Sequence, residues 1–540
     1  MKYIKEILLS IGLGVLFYSC NMLDLEPESS IPESKYYQSI QDIEYATNGI
    51  YSCFASAEIY GQDYYTVHAG HSDLEYYASY TSDEAPTGYT HSVSNQKVRS
   101  LWRQLYICVN RANEVIDGID RSSLRWESKV MKCRSEAVFL RAHAYFLLAQ
   151  FYGDVPMRIT SYVQPSDTDM ARTPVLKVLE WVYNEMENSI AGLPEANQYT
   201  DASRISKSVV RAMLARVSLV MAGATISNDD DSRQAYYANA LKWAKAVNGT
   251  PDGRVGHGSL HRLKPTYREL FIDLAQDKYD ISCRENIWEI QFNGSGIEHN
   301  NPGQIGVSVG VTCDDASSTG KGFSEGFFRG YLTLHDLYNT DKKNNNEIDQ
   351  RYSWNLANYS YKIIGGELQT IIYNNLWDYT IAKFRREYET QFPKQKRQTS
   401  INFPIIRYAD VLLMIAEAEN ELYTGSKTNA LDCINDVRAR AGLTPLSLNS
   451  SYMKKLIENE RGREFIGEGI RHMDLLRWGK LVSAMNATAR VTFTDSRYGS
   501  SGASDNLSRA GFICSDKHML YPIPQSELNI NKLMTQNIGW

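Results

Sequence analysis

Residues 404–480 restrict the fold more than any other stretch. The run opens Pro404-Ile405-Ile406-Arg407-Tyr408-Ala409-Asp410, and apolar residues then recur at Val411, Leu412, Ile415, Ala418 and Leu422. That spacing puts one apolar face on a helix, and such a face has to be buried. Gly425 stops the helix and Ser426 caps the next, which carries Ala430, Leu431, Ile434, Val437 and Ala441 on its inner face. Two amphipathic helices joined by a short glycine-containing turn make an antiparallel helical hairpin.

Four short motifs lie in and after this hairpin. They are Arg407-Tyr408-Ala409-Asp410, Asn435-Asp436-Val437-Arg438-Ala439-Arg440-Ala441-Gly442, Glu460-Arg461-Gly462-Arg463-Glu464-Phe465 and Asp474-Leu475-Leu476-Arg477-Trp478-Gly479. A fifth is Tyr521-Pro522-Ile523-Pro524-Gln525, followed by Gln536-Asn537-Ile538-Gly539. In order and spacing these resemble the SusD/RagB family, the surface glycan-binding lipoproteins of nutrient-uptake systems. Leu476 stands where a second Arg is usual, and Met473 where an aromatic often lies. None of the motifs is a catalytic site, and the resemblance implies packing and ion-pair roles for them.

The chain of 540 residues carries a net charge of −6. A mildly acidic surface gives no reason to expect a nucleic-acid partner. Its outlier is 36 tyrosines, whose flat apolar face and polar tip suit sugar rings as well as cores. Lys2 and Lys5, the apolar run from Ile7 to Tyr18 and the Ser19-Cys20 junction read as a lipoprotein signal, with residues 1–19 removed and Cys20 lipidated. That apolar run is too short for a good membrane span. The other seven cysteines, Cys53, Cys108, Cys133, Cys283, Cys313, Cys433 and Cys514, show no paired spacing. They read as small hydrophobes rather than a disulfide framework or zinc site.

Helical periodicity predicts helices over residues 40–54, 101–119, 127–151, 175–190, 207–222 and 234–247, with Gly153-Asp154-Val155-Pro156 ending the third. Paired helices of this length, with Ala137, Ala142 and Ala144 at contact positions, suggest degenerate tetratricopeptide-like hairpins stacked into a superhelix. Residues 58–97 break the pattern. From about residue 250 to 402 glycine, asparagine and aromatics dominate, residues 287–292 alternate as a strand, and residues 293–330 form a long Gly/Ser/Asn loop.

Several candidate sites are better explained as structure. Gly322-Phe323-Ser324-Glu325-Gly326 matches a nucleophile elbow without the flanking strand and helix that motif needs, and reads as a flexible loop. His68, His71 and Asp73 read as surface loop residues, and Asp341 to Glu347 lacks the glycine and final Glu of a calcium loop. Glu460, Arg461, Arg463 and Glu464 are spaced for ion pairing along one helix. The aromatic clusters suit a ligand best: Tyr76, Tyr77, Tyr80, Phe323, Phe327 and Trp354, in or beside the irregular segments, are the expected contacts.

The expected molecule is mainly α, a tetratricopeptide-like α-α superhelix of hairpins with a loop-rich insertion carrying short strands. Its expected parts are the signal (1–19), an N-terminal helical region (20–249) and a C-terminal region (250–540) packed with it as one unit. The resemblance implies a non-catalytic lipoprotein of the outer membrane, facing outward, that passes oligosaccharide to a SusC-like TonB-dependent transporter. No metal or cofactor is expected. The rival readings are a peptide-binding lid and a glycosidase, the latter needing two acids facing across a cleft.

Overall fold

The computed structural model describes residues 36–78, 85–161, 169–293, 303–317, 319–447, 452–498 and 503–540. Cys20 and Tyr80 lie outside the described residues. Among the described residues six α-helices build the first half: α1 (Ile40–Phe54), α2 (Gln96–Arg121), α3 (Ser128–Tyr152), α4 (Val175–Ser189), α5 (Lys207–Met221) and α6 (Asp230–Ala246). Their ends follow local chemistry. Ser39 Oγ accepts from the Asp42 backbone N–H at 3.1 Å while the Asp42 carboxylate accepts from Ser39 N–H at 3.2 Å, a reciprocal cap for α1. Gly153, at φ +72°, ends α3.

The second half carries α7 (Tyr267–Ala275), α8 (Leu332–Tyr338), α9 (Gln350–Asn355), α10 (Tyr408–Glu421), α11 (Lys427–Arg440), α12 (Met453–Phe465), α13 (Ile470–Arg477), α14 (Leu481–Thr494) and α15 (Ala503–Ile513). Consecutive helices pair: α2 with α3, α3 with α4, α5 with α6, α10 with α11, and α14 with α15. Helix α10 also lies along α6 and α12, joining the two halves. Ala137, Ala142, Ala144 and Ala149 are buried along α3, where small side chains let its neighbours approach. One continuous hydrophobic core runs from Ile43 to Ile523. The architecture is mainly helical, with helical pairs and a loop-rich region holding short strands.

Those strands are β1 (Glu75–Tyr77), β2 (Asn286–Ile290), β3 (Phe328–Gly330), β4 (Leu356–Ala357), β5 (Tyr359–Ile364), β6 (Glu367–Ile372), β7 (Thr380–Ile381) and β8 (Phe403–Arg407). A four-stranded sheet has the order β1-β3-β7-β4, all neighbours antiparallel. β2 pairs with β8, and β5 with β6 across Gly365-Gly366. Strand β2 is buried on both faces, although its sequence alternates: Trp288 and Glu289 are both enclosed. The seven cysteines named above are free and buried.

The four motifs meet in a buried ionic lattice. Arg407 reaches Glu285, Glu464 and Glu468; Arg440 reaches Glu285 and Glu464; Arg351 reaches Asp349, Glu460 and Glu464; Lys383 reaches Glu468. Beside it Arg461 bridges Asp410 (2.7 Å) and Asp474 (2.6 Å), and Arg477 pairs with Asp474 and Glu417. Within α12 itself only Arg463 and Glu460 pair along the helix, at 3.0 Å. Arg461 and Glu464 pair across elements instead, which corrects the expectation of intrahelical pairing. Both side chains point into the core, where only distant elements supply counter-charges.

His68 and His71 also depart from expectation. They are buried, not on a surface loop. His68 Nδ1 bonds Tyr521 Oη at 3.0 Å and His71 Nε2 bonds Tyr331 Oη at 3.3 Å, so both serve to dock remote segments.

Candidate functional site

Residues 321–330 run in an extended path with a period of two. Gly322, Ser324, Gly326, Phe328 and Gly330 face inward, while Lys321, Phe323, Glu325, Phe327 and Arg329 are half-buried on the outer side. Gly322 (φ +88°) and Gly326 (φ +55°) allow the bends that keep this segment against the body. Arg386, itself buried, donates to the Phe323 carbonyl at 2.7 Å and fixes the backbone there. Ser324 is buried as well, its hydroxyl donating to Val307 O at 3.1 Å. The segment is therefore held in place, where the sequence suggested a flexible loop.

Strand pairing brings Tyr77 opposite Phe328, and the Ala78 N–H donates to Phe327 O at 2.7 Å. Tyr77 and Phe327 then meet as half-exposed rings, centroids 5.1 Å apart and inclined at 46°. Phe323 lies on the same side of the segment, with Lys396 Nζ 4.9 Å from its ring centre. Between the two phenylalanines Glu325 pairs with Arg397 at 2.8 Å. Burial pushes the Tyr77 hydroxyl up to about 12, with Glu325 and Asp63 adding to the effect. It stays protonated near neutral pH, and it has no hydrogen-bond partner among the described residues. The result is an aromatic strip edged by one acid, two bases and a free phenol, a set suited to holding a ring with hydroxyls.

Two expected contacts are core residues. Tyr76 is 3% exposed, its hydroxyl donates to Trp377 O at 3.0 Å, and its ring packs on Tyr331 at 4.7 Å. Trp354 is 7% exposed, its Nε1–H donates to Lys383 O at 3.1 Å, and Arg385 covers its face at 4.2 Å. Neither presents a face to a ligand. Adjacent residues on β1 point to opposite faces, so Tyr76 and Tyr77 do not share one surface. The sequence reading missed Glu325, Lys396 and Arg397. The alternation Phe323-x-Glu325-x-Phe327 could have revealed Glu325, whereas Arg397 arrives from 72 residues away with no local signal.

Two family models match the chain. One, described as the SusD family, covers residues 285–540 and therefore takes in all five motifs. The other, described as starch-binding associating with outer membrane, covers residues 21–219.

The chain belongs to the SusD family.

Its full-length curated relatives include SusD-like protein P25 of Formosa agariphila, 23% identical over 99% of this chain and 98% of that one. The starch-binding protein SusD of Bacteroides thetaiotaomicron is also 23% identical, over 84% and 80% of the two chains. Among solved structures, a SusD homolog from Bacteroides thetaiotaomicron superposes with TM-score 0.81 at 22% identity, covering 95% of this chain and 99% of that one. SusD-family membership makes this a binding protein rather than an enzyme, and associates it with the outer membrane. Four of the five motifs supply residues of the buried ionic lattice and of the ion pairs beside it.

Proposed function

We propose that this SusD-family protein captures oligosaccharide on the strip formed by Tyr77, Phe327 and Phe323. The observation that carries the reading is the half-exposed Tyr77–Phe327 ring pair, edged by Glu325 and Arg397. Aromatic faces take the C–H side of a pyranose, and the charged groups with the free phenol bond its hydroxyls. One matching family model is described as starch-binding and one relative is a starch-binding protein, which supports a glycan as the ligand class. Tyr80, outside the described residues, belongs to the same proposal through its place beside Tyr77 in the sequence.

In this reading lipid on Cys20 anchors the chain to the outer face of the outer membrane. The helical pairs stack as a superhelix, regions 20–249 and 250–540 act as one unit, and the protein hands its sugar to a SusC-like TonB-dependent transporter. Affinity electrophoresis and calorimetry of the chain lacking residues 1–20, against neutral polysaccharides and against peptides, test the ligand class. Binding to glycans that falls in Tyr77→Ala supports the strip. Binding to peptides alone, or glycan binding indifferent to Tyr77 and Phe327, sinks it.

A further inference from the structure

A second concave surface lies apart from the strip. It is a groove of about 980 Å³ between one face of α2 and the segments around Pro156–Arg158 and Ser526–Met534. That volume sits at the upper end of the range of about 300–1,000 Å³ common for ligand sites. Its opposite wall is firmly built: Asn531 accepts from Met170 N–H at 3.0 Å and donates to Met170 O at 2.8 Å, so the C-terminal segment cannot drift from the groove. Trp102 and Tyr106 lie at its floor with centroids 5.0 Å apart, and the Tyr106 hydroxyl is fixed on Pro156 O at 2.7 Å.

The charge of this groove opposes that of the chain. Four arginines line it, Arg99, Arg103, Arg111 and Arg158, against two acids, Glu114 and Glu527, whereas the chain as a whole is net −6. Arg99 and Arg103 are exposed, stand one turn apart on the same helix face, and make no side-chain hydrogen bond or ion pair with any described residue. Like charges at that spacing repel, so the pair weakens the free helix. Glu114 accepts from the Asn110 amide at 2.7 Å, and burial pushes the Glu527 carboxyl up, so four guanidinium groups face two acids across the groove. Arginine forks match planar carboxylates and sulfate oxygens two bonds at a time. Gln96, which opens the groove, is next in sequence to Lys97, whose ammonium pairs at 2.8 Å with Asp63, one of the charges acting on Tyr77.

We infer that the α2 groove is an anion-selective glycan site that takes the carboxylate- or sulfate-bearing residues of an acidic oligosaccharide on Arg99 and Arg103. The inference rests on the reading of the protein as a glycan binder and extends it from neutral ring stacking to charged substituents. A bound polyanion relieves the repulsion between Arg99 and Arg103, and Trp102 and Tyr106 provide the groove floor beneath it.

The test uses the chain lacking residues 1–20, with oligogalacturonate as the carboxylate probe, dextran sulfate as the sulfate probe, and dextran and poly-glutamate as controls. At low salt at least one acidic glycan should bind about 10-fold or more tightly than dextran, and that margin should shrink as salt screens the contact. Which of the two probes binds tells carboxylate from sulfate recognition. Arg99→Ala/Arg103→Ala should abolish the margin without lowering the melting temperature, while Arg99→Lys/Arg103→Lys keeps part of it. Tyr77→Ala should lower neutral-glycan binding and leave the acidic margin in place. The groove reading is overturned if wild type shows no margin, if poly-glutamate binds as well as the acidic glycans, or if the margin survives Arg99→Ala/Arg103→Ala. It is overturned as well if the margin vanishes only in Lys396→Ala/Arg397→Ala, which would assign the charge recognition to the strip. Each of these results leaves the Tyr77 test of the strip standing on its own.

Discussion

Arg407 grips Glu468 through two parallel hydrogen bonds, Nε to Oε2 at 2.9 Å and Nη2 to Oε1 at 2.8 Å, with both side chains 1% exposed. The pair joins the end of β8 to the turn after α12, and the same guanidinium also reaches Glu285 and Glu464. Burial raises the Glu464 carboxyl, but Arg440, Arg407 and Arg351 more than offset this and hold it at about 2. Arg407→Ala leaves three acids sharing fewer cations in a dry site. It is expected to cost on the order of 3–5 kcal/mol, seen as a lower denaturant midpoint. Arg407→Lys should recover little, because a point charge cannot make the parallel bonds. A variant as stable as wild type would show that the lattice is not what holds β8 to α12.

Stability should fall on mild acidification. Burial lowers His68, His71, His91 and His143 to about 3, and His261, His335, His472 and His518 to about 4. The unfolded chain takes up protons on these rings below about pH 6.5 and the folded chain does not, so stability drops from there down to pH 3–4. Glu75 and Glu289, pushed by burial up to about 8, work the other way between 4.5 and 8, and Asp63, Glu136 and Glu527, which burial also raises, add to them, but they are five groups against eight. The melting temperature should fall by at least ~5 °C between pH 7 and pH 5. His91 packs against Trp540, ring centroids 4.8 Å apart and inclined at 39°, with neither ring nitrogen bonded, so His91→Phe should fold and flatten this slope. A flat melting profile from pH 7 to 5 would refute the assignment.

The aromatic residues divide into two classes. Tyr77→Ala or Phe327→Ala should cost about 1–3 kcal/mol of glycan affinity, or about 5- to 150-fold, with a modest change in melting temperature. Tyr76→Ala and Trp354→Ala remove buried rings and should cost about 3–5 kcal/mol of stability. Calorimetry beside thermal melts separates the classes, and equal stability losses in all four variants would return Tyr77 and Phe327 to the core.

Gly442 and Gly479 stand at φ +78° and +65° just after α11 and α13. Leu443 N–H bonds Arg438 O at 3.0 Å and Lys480 N–H bonds Leu475 O at 2.8 Å, closing each helix. Alanine at either position should cost roughly 1–2 kcal/mol in urea unfolding. Ser324→Ala should cost less than about 1 kcal/mol, because Val307 O keeps its bond from Glu325 N–H at 2.9 Å. A Ser324→Ala loss larger than that of Gly442→Ala would reverse this ranking.

The sequence alone determined the family motifs, the first helix at residues 40–54, the Ser426 cap and the helix end at Gly153. Each depends on residues within a few positions of one another. Ser426 accepts from Asn429 N–H at 3.1 Å, three residues on, and apolar spacing reports a helix face regardless of what covers it. Tertiary structure decided which tyrosines are half-exposed and which are core. Strand β1 is three residues long, too short for alternation to say whether Tyr76 or Tyr77 turns inward until β3 pairs with it. It also decided the partners of the charged motifs, because Arg461 finds Asp410 across 51 residues and Arg397 finds Glu325 across 72. The type of a charged residue is local information. The position of its counter-charge in a low-dielectric interior exists only once the elements have packed.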